Sequence, residues 1–177
     1  MRTTRLILTG VLALLTFAPS EAGQRNRVSP HENVTGVVDG ATLTITYGRP
    51  SMRGRKIFGA LVPYGQVWCP GADEATTLES SKPLRIGSLE VPAGPHTIWV
   101  LPTADVWTIV ISKEPSGFHT RYNASADLGR APLTRRTLDA PVEQLTFTIG
   151  NATSGRGGTI AMEWETTQVS TVFSVVQ

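Results

Sequence analysis

The chain has 177 residues, 16 of them Lys or Arg against 14 Asp or Glu; 17% are charged and 40% apolar. That balance excludes a disordered, charge-dominated chain, and the scatter of the basic residues excludes the concentrated cationic face of a nucleic-acid-binding domain. The single cysteine, Cys69, excludes an intramolecular disulfide, so packing alone must hold the fold and the thiol is expected to be buried as a small apolar group.

The N-terminus carries Arg2 and Arg5, an apolar run from Leu6 to Ala18, and then Pro19-Ser20-Glu21-Ala22. This is the order of a signal peptide, and the small residues Ser20 and Ala22 predict cleavage after Ala22. The apolar run falls short of the roughly 20 residues that span a bilayer; a retained N-terminal anchor is the alternative. Cleavage leaves residues 23–177 as a single domain, exported to the periplasm or beyond, with no membrane insertion. It also removes Arg2, Arg5 and Glu21, which lowers the net charge from +2 to +1. A chain of about 155 residues is long enough for one hydrophobic core.

Strands dominate the rest of the chain. Ala41 to Tyr47 alternates apolar and polar residues, and Asp39-Gly40 separates it from Val37-Val38, which predicts a hairpin with a two-residue turn. Runs near Thr76–Leu78, Leu84–Ile86 and Leu89–Val91 are short strands. His96 to Leu101 and Val106 to Ile111 form a second hairpin around Pro102 to Asp105. The return strand is apolar on both faces and is therefore placed centrally. Leu145–Ile149 and Thr159–Glu165 flank the turn at Gly155–Gly158, and Arg135–Leu138 and Val172–Val176 complete nine or ten strands. Only Asn123 to Leu128 suggests a turn of helix. The fold class is all-β, a single antiparallel β-sandwich of jelly-roll type.

The long irregular stretch Gly48 to Asp73 is too rich in large apolar residues to be disordered and is expected to cover one end of the sandwich. Its sequence is distinctive. The run Tyr47-Gly48-Arg49-Pro50-Ser51-Met52-Arg53-Gly54-Arg55-Lys56-Ile57-Phe58-Gly59 continues through Leu61-Val62-Pro63-Tyr64-Gly65-Gln66-Val67-Trp68 to Gly71–Thr77. With Ser29-Pro30-His31-Glu32, Val91-Pro92-Ala93-Gly94 and Trp107-Thr108, it resembles the bacterial domain of unknown function 2911 family over most of the chain after Ala22. The resemblance implies an exported, β-rich protein and carries no activity, cofactor or catalytic residue. Cys69, Pro70 and Asp73 depart from the family's usual pattern, which weakens any role for the thiol.

Arg49, Arg53, Arg55 and Lys56 place four cations within eight residues of this loop. Guanidinium forks suit carboxylates or phosphates, so an anion pocket is one expectation. The alternative is that these cations pair with Asp73 and Glu74 to pin the loop. Tyr64 and Trp68 could offer an aromatic platform for a sugar or other flat ligand, whereas Tyr47 and Trp99, on alternating strands, are expected in the core. His31, His96 and His119 lack metal-ligand spacing with Cys69, so no metal or other cofactor is predicted; His96, after Pro95, is expected at a turn. No nucleophile elbow occurs. The leading expectation is a non-catalytic binding module for a small polar or anionic molecule or a glycan, with Arg49, Arg53, Arg55, Lys56, Tyr64, Trp68, Asp73 and Glu74 as the candidate site. A hydrolase using Asp73 or Glu74 beside a histidine is the second possibility, and a structural or partner-binding envelope protein the third. The enzyme requires a close carboxylate–histidine pair inside a pocket; the binding module requires an open pocket lined by loop cations and aromatics.

Overall fold

The computed structural model describes residues 27–152 and 156–176. The signal peptide and the cleavage after Ala22 lie outside the described residues. Those residues form nine strands: β1 (His31–Val38), β2 (Ala41–Gly48), β3 (Thr77–Ser80), β4 (Leu84–Ile86), β5 (Leu89–Val91), β6 (Gly94–Leu101), β7 (Trp107–Ser112), β8 (Asp127–Asn151) and β9 (Gly158–Val175). All neighbours pair antiparallel in the order β1-β2-β3-β6-β7-β8-β9-β4-β5. The protein is all-β, as its alternation indicates. The order is that of a meander whose β4–β5 hairpin has been carried to the far edge.

Local chemistry explains the elements. Asp39 and Gly40 both take positive φ, 48° and 72°, between the paired residues Val38 and Ala41, which is the two-residue turn that matches strand twist. Along β2 the alternate residues Ala41, Leu43, Ile45 and Tyr47 are buried while Thr42 and Thr46 are exposed. Strand β7 lies between β6 and β8 with Trp107 and Ile109 to Ser112 buried, the central position its double-faced apolar pattern requires. Asn123 accepts a hydrogen bond from the Ser125 N–H and caps a single 3-10 turn, Ala124–Ala126, from which β8 departs.

Two differences from the sequence expectation matter. Arg135–Leu138 and Leu145–Ile149 are one strand, β8, and Thr159–Glu165 and Val172–Val176 are parts of β9. The alternation breaks at Leu138-Asp139-Ala140-Pro141, which looks like a turn; it is instead a bulge. Pairing jumps from Thr137↔Thr167 to Val142↔Glu165 and again to Thr146↔Glu163, and Pro141, which has no N–H to donate, sits in the first gap. His96, in turn, lies inside β6 and is buried, with each ring nitrogen 3.0 Å from a carbonyl oxygen, of Ser112 and of Pro92.

The bulges bend β8 and β9 so that the sheet folds over itself. The second half of β8 then faces β2: the Phe147 N–H donates to the Tyr47 hydroxyl at 3.0 Å, and the two rings meet edge to face at 4.9 Å. The Met52 N–H donates to the Glu143 carbonyl and the Leu145 N–H to the Pro50 carbonyl, closing the seam between the segment after β2 and the middle of β8. One core fills the space between the layers, including Leu43, Ile45, Trp107, Phe147, Met162 and Trp164.

Cys69 is 1% exposed and its sulfur accepts the Thr76 N–H at 3.3 Å. Burial pushes its thiol up to about 11, which leaves little thiolate at neutral pH. Folded protein is therefore expected to resist an aromatic disulfide reagent that labels the denatured chain at once; equal labelling of both states would contradict the burial.

Candidate functional site

The segment between β2 and β3 is not a free loop. The Trp68 N–H and the Val100 N–H each donate to the other residue's carbonyl, so Trp68 extends the sheet alongside β6. Ser51 bridges to Gln144, and Glu74 bridges to Phe118. Ile57, Phe58 and Val62 reach into the main core. The Glu165 carboxylate, at the bulge in β9, accepts the N–H groups of Ile57 and Phe58 at 3.4 and 3.3 Å. Glu165 holds a φ of 55°, an uncommon conformation for a side chain of its size, and this is the residue that anchors the tip of the segment.

Between this segment and the strands lies an open pocket of about 420 Å³. Trp68 and Trp164 form part of its wall, their rings stacked with centroids 6.0 Å apart and planes 15° from parallel. Leu61 and Val62 add apolar surface, and Ser29, Ser51, Arg53, Arg55 and His119 supply polar groups. No Asp or Glu is among its lining residues. Arg55 donates from Nε to the Met52 carbonyl at 2.9 Å and from an Nη to the Ser51 carbonyl at 2.7 Å, so its guanidinium is positioned by backbone oxygens and pairs with no carboxylate among the described residues. Arg53 is exposed at a φ of 51°; its backbone N–H donates to the Glu143 carboxylate, and its guanidinium has no ion-pair partner among the described residues.

Three of the eight residues singled out in the sequence, Arg53, Arg55 and Trp68, meet at this pocket. The other five line other surfaces. Arg49 is a strut: it pairs with Glu32 at 2.6 Å and donates to the Leu145 carbonyl and the Thr146 hydroxyl. Lys56 is exposed, and Tyr64 lies against Gly59, whose positive φ of 81° and lack of a Cβ admit the ring. Asp73 and Glu74 do not pin the loop arginines. Their carboxylates stand 3.4 and 3.2 Å from His31 Nε2, and Glu74 also takes a 2.5 Å hydrogen bond from Arg27, which holds its carboxyl below the ordinary range. The expected core positions of Tyr47 and Trp99 are what the structure has.

His119 and Trp164 reach the pocket without a sequence signal that places them there. The alternation of Ile160, Met162 and Trp164 indicates burial, and Trp164 is 1% exposed, yet it is also among the pocket-lining residues, behind Trp68 in the stack. His119 arrives through the bridge between Glu74 and Phe118, a pairing that nothing local encodes. A close carboxylate–histidine pair does exist, at His31 with Asp73 and Glu74, but none of the three lines the pocket. Among the described residues no group of three His, Cys, Asp or Glu is placed to hold a metal ion, and no helix is long and apolar enough to cross a membrane.

Fold and pocket together define a small all-β protein whose long, core-forming loop is tied to the strands and encloses with them a cationic cavity lined by two tryptophans. Residues 29–173 match the family described as Protein of unknown function (DUF2911), and the chain belongs to that family. The matched span contains the entire loop and every pocket-lining residue except Val28. No curated protein and no solved structure matches the chain significantly.

Proposed function

We propose that this chain is an exported binding module that holds a small organic anion with a flat or apolar body in the pocket between the 49–76 segment and β9. Export rests on the basic, apolar and small-residue order of the first 22 residues. The observation that carries the ligand class is the charge of the lining: two guanidiniums with no carboxylate partner among the described residues, no acid among the described lining residues, and stacked indoles beside them. Guanidiniums favour carboxylate or phosphate oxygens, the indole face favours a planar or aliphatic body, and the volume suits a small molecule. The separation of the His31 carboxylate pair from the pocket favours binding over hydrolysis.

The test is a thermal-shift panel of organic carboxylates, phosphate and sulfate esters, neutral sugars and divalent metals, followed by titration of tryptophan fluorescence. A ligand at 100 times its Kd stabilises by roughly 2.7 kcal/mol, which shifts the melting of a domain of this size by several degrees. Arg53→Gly removes a guanidinium at a left-handed position that glycine occupies freely, so it is expected to weaken anion binding roughly tenfold to a hundredfold without loss of stability. A panel that stays flat, or responds only to neutral sugars, would sink the proposal.

A further inference from the structure

His119 is held more firmly than a surface histidine needs to be. Its Nδ1 lies 2.6 Å from the Asp73 carbonyl oxygen, and its backbone N–H donates to that same oxygen at 3.1 Å. Asp73 takes a φ of 65°, an uncommon conformation outside glycine, at the residue that presents this carbonyl. The Phe118 ring lies against the imidazole with centroids 4.6 Å apart. A carbonyl oxygen only accepts, so the proton of the neutral imidazole resides on Nδ1 and Nε2 carries a lone pair. No group among the described residues bonds Nε2, and His119 is one of the pocket-lining residues.

The other polar side chains of the lining differ in kind. Arg53 and Arg55 only donate, and the hydroxyls of Ser29 and Ser51 can do either. The Trp164 indole N–H is already given to the Glu143 carbonyl. With the imidazole neutral, His119 Nε2 is thus, among the lining side chains, the group that accepts and does not donate. We infer that His119 is a specificity residue that accepts a hydrogen bond from the ligand, so that the pocket takes a hydroxylated organic anion in preference to the same anion without its hydroxyl. This rests on the anion-binding function proposed above. It adds a second point of polar recognition: the guanidiniums take the anionic group and Nε2 the hydroxyl, while the half-buried Trp68 indole meets the body.

The experiment compares probe pairs that differ by one hydroxyl, phenylpropionate with phenyllactate and benzoate with its hydroxybenzoates, by calorimetry and tryptophan fluorescence. At least one hydroxylated probe is expected to bind about tenfold more tightly than its parent, the factor one hydrogen bond supplies. His119→Phe keeps a ring and removes the acceptor; it is expected to bring the ratio of hydroxylated-probe to parent affinity from about ten to about one, the ratio being the readout. His119→Gln, whose amide oxygen can accept, is expected to retain part of the preference. If parents and hydroxylated probes bind wild type equally, the inference is overturned while the anion-binding function stands. If neither kind binds, the inference falls, and the anion-binding function falls with it only if the wider panel of carboxylates and phosphate and sulfate esters is also flat. A preference that survives in His119→Phe, or a variant pair that weakens parent and hydroxylated probe alike, assigns His119 a positioning role and overturns the inference.

Discussion

Trp164→Ala is expected to lower the free energy of unfolding by about 3–5 kcal/mol, the range for removing a fully buried tryptophan. The side chain is 1% exposed, stacks on Trp68, and meets the Phe58 ring edge to face at 6.2 Å. Its indole N–H donates to the Glu143 carbonyl at 3.2 Å, at the seam where the segment after β2 joins β8. The substitution therefore opens a cavity, removes one of the two hydrogen bonds that the Glu143 carbonyl accepts, the Met52 N–H remaining, and takes away a pocket-lining residue, all at once. Urea denaturation checks it: the midpoint should fall with the slope unchanged. Trp68→Ala, which removes a half-buried ring on the outer side of the same stack, should cost less. A loss below about 1.5 kcal/mol for Trp164→Ala would mean that the aromatic cluster is not the hinge of this end of the core.

The second large effect is expected at Glu165. Its carboxylate accepts two backbone N–H groups, of the buried residues Ile57 and Phe58, and hydrogen bonds to a charged acceptor contribute about 1.5–3 kcal/mol each. Both are long, so the lower end of that range applies, and Glu165→Ala is expected to cost about 3 kcal/mol in all. The clearest sign should be local: Arg53, Arg55 and Lys56 lie just before the anchored pair, and trypsin should cleave there faster in the variant than in wild type while the rest of the chain resists. Glu165→Gly loses the same acceptor but relieves a left-handed φ of 55°, worth roughly 1 kcal/mol, and should be the less destabilised of the two. Equal cleavage of wild type and Glu165→Ala would show that core contacts of Ile57 and Phe58 alone hold the segment.

The parts of this fold that are legible in the sequence are those set by local rules. Asp39-Gly40 specifies its turn by backbone conformation, the alternation of β2 specifies its buried face, and the apolar run of β7 specifies its central place. The length of β8 is not legible, because a bulge at Leu138 to Pro141 interrupts alternation in the same way a turn does. The site is half legible for a related reason. A cation-rich, aromatic-bearing loop is visible as composition, and it delivers Arg53, Arg55 and Trp68. Which arginine becomes a strut depends on Glu32 and Thr146, and which histidine reaches the pocket depends on a bridge from Glu74 to Phe118. Both are long-range pairings, and nothing adjacent in the chain encodes them. The family match, over residues 29–173, spans the whole loop and agrees with the resemblance its motifs carry.

The distribution of the pocket walls along the chain determines how divisible this protein is. Ser51, Arg53, Arg55, Leu61 and Trp68 come from one stretch, His119 from the segment before β8, and Trp164 from β9. A peptide spanning the loop would carry the guanidiniums and one indole but no opposing wall, and a graft of the loop onto another β-protein would lack the Glu165 anchor and the Gln144 bridge that shape it. No contiguous fragment short of nearly the whole domain contains the cavity, so a truncation at either edge that spoils the sheet removes the site with it.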